Sequence, residues 1–404
     1  MIKTKERARR LKMKELLNPR VRKLQVPGIR QFSNLVSQYP SAVNLTIGQP
    51  DFPTPEHVKQ AGTKAISQNH TAYTHNAGLL ELRKAASDFI GDTYGLEYDP
   101  EKEVLVTVGA SEALDAAFRT ILQEGDEVLI PAPIYPGYEP LIELCGGKTV
   151  YMDTTKHDFK LSVDLLKENW TAKTKCVVMN FPSNPTGVVM PEQELRELAW
   201  FLQSKDVFVV SDEIYSENIY GKKHVSIASF PGMREKTIII NGLSKSHSMT
   251  GWRIGFTFAP SDITEEMVKV HLYNTVCAPT MSQYAAIEAL TNGRLDPAMM
   301  NEQYMARRDY VEHRLLQMGL DVVKPEGAFY IFPSIQSLGR KSYDFAFELL
   351  SKGGVAVVPG SAFSIYGEGY VRLSYAYSVS VLREGLNRME QFIETSHVVK
   401  GDFL

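Results

Sequence analysis

From about residue 104 the chain alternates short, continuous apolar runs with stretches of helical period. The runs are E-V-L-V-T-V (103–108), E-V-L-I (127–130), K-T-V-Y-M (148–152), K-C-V-V-M-N (175–180), V-F-V-V-S (207–211), T-I-I-I-N (237–241) and I-G-F-T-F (254–258). A strand with one wet face alternates apolar and polar residues. These runs do not, so they predict strands covered on both sides, as in a mainly parallel sheet with helices on each face. Between them Ala113, Leu114, Ala117, Phe118 and Ile121 recur at the spacing of one helix face, as do Leu195, Leu198, Phe201 and Leu202. Only about a dozen residues, rich in Ser and Gly, separate the last two runs, too few for a helical crossover, which predicts an antiparallel strand at 254–258.

After about residue 290 the pattern changes to a long helix carrying Met305, Tyr310 and Leu315, then strands near 329–332, 355–358 and 370–374, then a closing helix from about 380. The expected architecture is α/β: a large domain over residues 48–289 built on a mainly parallel seven-stranded sheet, and a smaller α+β domain over 290–404. Residues 1–47 form an arm and part of the small domain.

Composition narrows the function classes. At 404 residues with 44% hydrophobic and 23% charged positions, the chain has the balance of a globular protein and not of a disordered tail. The net charge of −3 hides an asymmetry: residues 1–23 hold ten Lys/Arg against two acids, leaving 34 basic against 45 acidic residues elsewhere. An acidic body argues against a general nucleic-acid surface. The basic start, with Glu6 and Glu15 and no serine, reads as a solvated helix and not as an import signal. No apolar run approaches the ~18 residues of a membrane span. Cys145, Cys176 and Cys277 are far apart, with no C-x-x-C, which points to a reducing, cytoplasmic setting and no metal site.

Ligands of α/β proteins bind beyond the carboxyl ends of the strands. There the sequence places Gly109-Ala110-Ser111-Glu112 at the start of a helix, where small residues and the helix dipole suit an anion and an ordinary serine cap would look the same. No strand is followed by G-x-G-x-x-G or G-x-x-x-x-G-K-[ST], which lowers the nicotinamide and nucleoside-triphosphate readings. F-P-S-N-P-T-G (181–187) makes a rigid turn that holds the Asn184 amide toward a ligand or is a turn and no more. In Ser211-Asp212-Glu213-Ile214-Tyr215 a carboxylate follows a buried strand, facing a ligand or capping the next turn. The most informative stretch is N-G-L-S-K-S-H-S-M-T-G-W-R-I-G (241–255). Lys245 stands just past a buried strand among small residues, where desolvation lowers an amine's pKa as a Schiff-base lysine requires. Arg253, at the start of the next buried run, needs an anionic partner.

These segments together resemble the class I/II aminotransferases, pyridoxal-phosphate enzymes of fold type I, in the subgroup that includes bacterial aspartate and aromatic aminotransferases. The likeness runs from about Asn44 to Tyr377 through L-T-I-G-Q-P-D-F, Y-T-H-N-A-G-L-L-E-L-R, V-G-A-S-E-A-L, P-I-Y-P-G-Y, N-P-T-G, S-D-E-I-Y, S-K-S-H-S-M-T-G-W-R-I-G and V-R-L-S-Y-A, in the family's order. The resemblance implies that Lys245 bonds covalently to pyridoxal 5'-phosphate, that Asp212 faces the pyridine nitrogen, that Tyr215 and Asn184 meet the ring's phenolic oxygen and that Tyr135 stacks on the ring. It places the phosphate among Gly109, Ala110, Ser111, Ser244 and Arg253, with Tyr73 arriving from a second subunit of a homodimer. It gives Arg372, helped by Asn184 and the Gly48 backbone, to the substrate's α-carboxylate. Gly242 departs from the family, many of whose members carry a serine three residues before the lysine.

The implied reaction moves an amino group between an L-amino acid and a 2-oxo acid such as 2-oxoglutarate. The likeness extends to enzymes acting on N-acetyl-LL-diaminopimelate in lysine biosynthesis, with aspartate or an aromatic amino acid as alternative donors. A pyridoxal-phosphate carbon–sulfur β-lyase shares nearly all of these contacts and is the nearest rival; a non-catalytic regulator with an aminotransferase-like domain is a distant one. A dicarboxylate substrate calls for a second cation, to be sought among Arg22, Arg30 and the lysines. Residues 26–35 are expected to fold over the site, with Ile29 or Phe32 excluding water. His247 reads as structural, His75 as ambiguous, and the Met299, Met300, Met305 cluster as helix packing.

Overall fold

The apolar runs form one seven-stranded sheet. The computed structural model describes residues 13–26 and 28–401, so the first half of the basic run, and Pro27 within the segment 26–35, lie outside the described residues. After β1 (Val43–Asn44) come β2 (Val104–Thr107), β3 (Glu127–Ala132), β4 (Lys148–Asp153), β5 (Thr174–Asn180), β6 (Phe208–Asp212), β7 (Thr237–Gly242) and β8 (Gly255–Phe258). The last seven lie side by side in the order β2-β8-β7-β6-β5-β3-β4. All neighbours are parallel except around β8, which runs antiparallel to both β2 and β7, as the short connection requires.

Both faces of this sheet are covered, which explains the lack of alternation. Val128, Ile130, Cys176 and Val178 face the helix Ala110–Ile121 through Ala113, Leu114, Ala117, Phe118 and Ile121. Their sequence neighbours Leu129, Val177 and Met179 point the other way, onto Leu195, Leu198 and Leu202 of Glu192–Leu202. Each of the Val, Leu, Ile, Phe and Met side chains so removed from water contributes about 1.5–3 kcal/mol, so a helix that lost its stripe would leave the sheet.

Four strands end along one edge. Asn180 pairs with Asp212, Asp212 with Ile240, and Gly255 lies between Thr107 and Gly242. The turns that follow therefore bring Gly109, Asn184, Asp212 and Lys245 to the same side. At Gly255 a Cβ would come within 2.6 Å of the Gly109 carbonyl carbon and 2.7 Å of the Ala110 nitrogen, so only glycine lets β8 pass under that turn.

A second body is built from β9 (Tyr330–Ile331), β10 (Val355–Ala356), β11 (Val358–Pro359), β12 (Val371–Ser374) and the helices Asp296–Gln317, Ser342–Ser351 and Val379–Gly401. The run at 355–358, expected as one strand, is two: β10 pairs in parallel with β1, while β11 pairs with β12 at the edge of a three-stranded antiparallel sheet. Pro359 has no N–H to offer a further neighbour, which suits that edge position. The N-terminal segment joins this core through β1, Phe32, Val36 and Leu45. Among the described residues no helix is long and apolar enough to cross a membrane.

Candidate active site

A cavity of about 520 Å³ opens where the strand ends meet the second body. Of the thirteen residues singled out from the sequence, eleven line it: Gly48, Ala110, Ser111, Tyr135, Asn184, Asp212, Tyr215, Ser244, Lys245, Arg253 and Arg372. Gly109 lies directly behind this lining, and Tyr73 is the one residue the chain does not bring to its own cavity, standing 82% exposed.

Lys245 belongs to the short helical turn Leu243–Ser246 at the end of β7. Its amine donates to the Gly48 carbonyl at 2.7 Å, and burial, aided by the nearby Arg372 and Arg253 guanidiniums, pushes it down to about 8. Asp212 ends β6, accepts from the Tyr138 hydroxyl at 2.6 Å and from the Ile214 N–H at 3.3 Å, and is pushed up to about 6 by burial, against the pull of those hydrogen bonds. Capping of the next turn and exposure to the cavity are thus both true of Asp212. A desolvated amine and a desolvated carboxylate share one chamber, which is the arrangement proton transfer at carbon needs.

At one end of the cavity the helix Ala110–Ile121 begins with Gly109, φ +77°, and no side chain caps it. The serine-cap reading of Ser111 is therefore set aside, and the first N–H groups are left facing the chamber. A Cβ on Gly109 would overlap the Arg253 guanidinium, so the glycine makes room for that cation. Arg253 stands just before β8, not in it, in a left-handed conformation at φ +57°, and donates to the Thr250 carbonyl at 2.9 Å and the Val108 carbonyl at 3.3 Å. The departure at Gly242 has a steric counterpart: a Cβ there would lie 2.9 Å from the Ile254 carbonyl oxygen and 3.1 Å from the Gly255 Cα.

At the other end Arg372, 2% exposed on the middle strand β12, donates to the Asn184 side-chain oxygen at 2.9 Å and to the Thr46 carbonyl at 2.7 Å. Its Nε has no partner among the described residues. A buried N–H without an acceptor is costly, and a bound carboxylate would supply one. Gly48 is where the chain must run close: a Cβ would sit 2.6 Å from the Tyr330 hydroxyl.

Sequence reasoning missed three residues here. Tyr138 holds Asp212 and was legible as the second tyrosine of P-I-Y-P-G-Y. Glu112, at the third position of the anion-facing helix, accepts from the Val108 N–H at 3.2 Å and from His271 at 3.0 Å. Tyr330, on β9, lines the cavity between Tyr215 and Arg372, and nothing in its local sequence signals that. Arg30, left among several candidates, lines the rim, whereas Arg22 lies outside it, exposed and bonded to the Glu15 carbonyl. Ile29 also lines the rim, but Phe32 points into the core of the second body, 1% exposed, and excludes no water from the site. His247 is structural, with its ring nitrogens bonded to Ser246 and the Gly293 carbonyl, and His75 accepts from the Ala77 N–H in a turn. Of the three methionines read as helix packing only Met300 is packed; Met299 and Met305 are exposed.

Comparison with known proteins agrees with this geometry. Residues 40–389 match the family model for aminotransferase class I and II. The chain is 59% identical over 381 residues to a probable N-acetyl-LL-diaminopimelate aminotransferase of Bacillus subtilis, covering 94% of this chain and 96% of that one. It is 45% identical to an aspartate aminotransferase of Pyrococcus abyssi, over 90% of this chain and 95% of the relative. Among solved structures, an aromatic aminotransferase from Pyrococcus horikoshii superposes with a TM-score of 0.86 at 44% identity, over 90% of this chain and 99% of the other. The aspartate aminotransferase from Thermus thermophilus with maleate does so with a TM-score of 0.89 at 36% identity, over 93% and 99%. The chain belongs to the class I and II aminotransferases, the enzymes that use pyridoxal 5'-phosphate.

Proposed function

We propose that this aminotransferase exchanges an amino group between glutamate and 2-oxoglutarate on one side and N-acetyl-LL-diaminopimelate and its 2-oxo acid on the other, in lysine biosynthesis. The observation that carries the reading beyond the family is the second cation. Arg30 lines the same cavity as Arg372 and has no hydrogen bond or ion pair among the described residues, so a substrate with carboxylates at both ends finds a partner for each. Glutamate, aspartate and N-acetyl-LL-diaminopimelate are all of that kind, and among them the choice of the last rests on the 59% identical Bacillus relative, which carries it in its name.

The residues present fit pyridoxal phosphate. The uncapped helix start, the space kept open by Gly109 and the Arg253 guanidinium suit a phosphate dianion. Ala110, Ser111 and Ser244 complete that cradle, Tyr135 offers a ring face, Asn184 and Tyr215 offer donors for the ring oxygen, and Asp212 offers a carboxylate for the ring nitrogen. When bound, the cofactor supplies an electron sink for the pair left as the substrate's α-proton departs. Lys245, whose amine is already easier to deprotonate than an exposed lysine's, holds the cofactor and then carries that α-proton away from and back to carbon. Asp212 remains ionised above about pH 6 and balances positive charge facing it. Tyr138 fixes the orientation of that carboxylate. Arg372 and Asn184 clamp the α-carboxylate so that the carbon to be deprotonated stands at the lysine.

Two features extend the proposal to assembly and location. Tyr73, exposed and outside its own cavity, is free to reach the phosphate of a neighbour in a homodimer. The three cysteines are unpaired, in keeping with a reducing cytoplasm. The division near residue 47 is supported by residues 43–45, which pack with the second body, while the second boundary is drawn just beyond the helix Thr280–Thr291, whose Ala289 and Leu290 both pack with the large sheet.

The test is a single-turnover titration of the purified holoenzyme without oxo acid, against glutamate, N-acetyl-LL-diaminopimelate, aspartate, aromatic amino acids and alanine, followed by cofactor absorbance. Conversion by glutamate and N-acetyl-LL-diaminopimelate is expected. Conversion by aspartate or an aromatic amino acid in place of N-acetyl-LL-diaminopimelate overturns the substrate, and pyruvate with ammonia from cystathionine would identify a lyase instead.

A further inference from the structure

Tyr330 has no role in the scheme above, yet it touches three of the groups that do. Its hydroxyl lies 2.8 Å from the Tyr215 hydroxyl, and its ring lies 4.3 Å from the Arg372 guanidinium carbon. The same hydroxyl occupies the space a side chain at Gly48 would need, and the Gly48 carbonyl is the acceptor of the Lys245 amine. The side chain is 1% exposed, so water does not stand in for either contact. It also spans the two bodies: Tyr330 is on β9 of the small sheet, Tyr215 follows β6 of the large one.

Two phenols at this distance share one hydrogen between them. The Tyr330 hydroxyl has no other hydrogen-bond partner among the described residues. When Tyr215 turns its own hydrogen toward the cofactor's ring oxygen, its lone pair is left to accept from Tyr330, and each bond in such a chain strengthens the next. The face of the same ring attracts the Arg372 guanidinium and holds its plane. The charged and titratable groups facing the pair are Arg372, Lys245 and Asp212 and the phenols of Tyr135 and Tyr377.

We propose that Tyr330 is a positioning residue that ties the carboxylate anchor to the ring-oxygen donor, so that one side chain sets the aim of Arg372 and the donor strength of Tyr215. The proposal rests on the roles given to those two residues above.

Two variants of the holoenzyme separate the two arms. Y330F keeps the ring and loses the hydroxyl; Y330L loses both. In Y330F, Tyr215 donates more weakly, the ring oxygen keeps more negative charge and holds the neighbouring proton more tightly. The pH midpoint of the cofactor's visible absorbance rises by about 0.5 unit, with KM for the amino donor unchanged. Y330L shows the same rise and a KM for every amino donor about tenfold higher, because the guanidinium loses its support. An unmoved midpoint in Y330F overturns the proposal, as does a Y330L whose KM matches that of Y330F. Should Y330L fail to fold, the midpoint of the nearly isosteric Y330F decides alone. Y215F and R372K are run beside them: if Y215F leaves the midpoint or R372K leaves KM where the parent has it, the proposal falls through the roles of those residues and not through the coupling.

Discussion

The two ends of the cavity are built differently. At the lysine end the functional groups sit at the ends of strands of one sheet, Asp212 closing β6, Gly109 and Lys245 just past β2 and β7 and Arg253 just ahead of β8, and the strands are locked to each other by register and by two packed faces. At the carboxylate end Thr46, Asn184, Tyr330 and Arg372 come from segments separated by up to 326 residues, and the rim adds the helix Gly28–Val36. The first end is a product of local sequence on a rigid edge. The second exists only once the N-terminal segment and the second body have docked, so it is the end at which substrate choice can change without disturbing the chemistry.

If the lysine end is preformed, its desolvated charges must weigh on the fold before any ligand binds. In the cofactor-free protein Asp212 is raised to about 6, so the folded state holds a proton that the unfolded chain releases, and this stability is lost as pH rises from about 4 through 6. Lys245 is depressed to about 8, so the folded state sheds a proton that the unfolded chain keeps, and stability returns only as pH rises beyond 8. Urea midpoints of the apoenzyme should pass through a trough between pH 6 and 8, each limb worth roughly 3 kcal/mol at most. D212N should remove the acid limb and K245M the alkaline one. Limbs that survive in those variants would show that the two groups are not strained in the empty site.

The carboxylate end should fail in another way. Arg372→Lys keeps the charge but loses the fork, the bonds to Asn184 and Thr46 and the donor at Nε. The loss in kcat/KM is expected near 100-fold, carried by KM, with cofactor affinity unchanged. A variant that instead released cofactor would mean the two ends are not independent.

This difference also governs what was legible in the sequence. The seven strands, the antiparallel turn at β8 and the cluster of Gly109, Asn184, Asp212 and Lys245 follow from apolar runs and the residues just after them, because a parallel sheet brings its strand ends together. Tyr330 escaped because its neighbours read as an ordinary buried strand, and only the fold sets it between Tyr215 and Arg372. Phe32 and Ile29 lie three residues apart on one helix, close to a full turn, yet one meets the core and the other the cavity; which face meets which depends on a docking partner far along the chain. The run 355–358 read as a single strand because periodicity reports burial, and both of its halves are buried, in different sheets.

Behind the lysine end a carboxylate braces the turn proposed to hold the phosphate without lining the cavity, and its removal sharpens the contrast between local and assembled construction. Glu112 points back to the Val108 N–H, while the Val108 carbonyl accepts from Arg253. The two peptide groups of one residue are thus held from both sides, and His271 braces the carboxylate. E112A should raise the dissociation constant for pyridoxal phosphate about tenfold, measured by fluorescence quenching. E112Q, which retains an acceptor for the Val108 N–H, should recover most of it. If alanine binds as tightly as the parent, the hold of Glu112 on the turn adds nothing to cofactor binding.

The smallest effect is expected at the rim. Ile29 is the apolar side chain that the helix Gly28–Val36 offers to the cavity, and Phe32 anchors that helix in the second body. Ile29→Ala removes about three methylene-sized groups from the lining without touching a charge, at most a few-fold in binding per group for a partly covered site. The ratio of kcat/KM for N-acetyl-LL-diaminopimelate over glutamate should move about threefold if, of these two proposed substrates, the longer one extends further toward the rim. Cofactor affinity and the trough in apoenzyme stability should stay as they are, because neither depends on this helix. A shift in the stability trough would mean that the rim helix controls water at Lys245 and Asp212, and that the specificity end reaches into the chemical one.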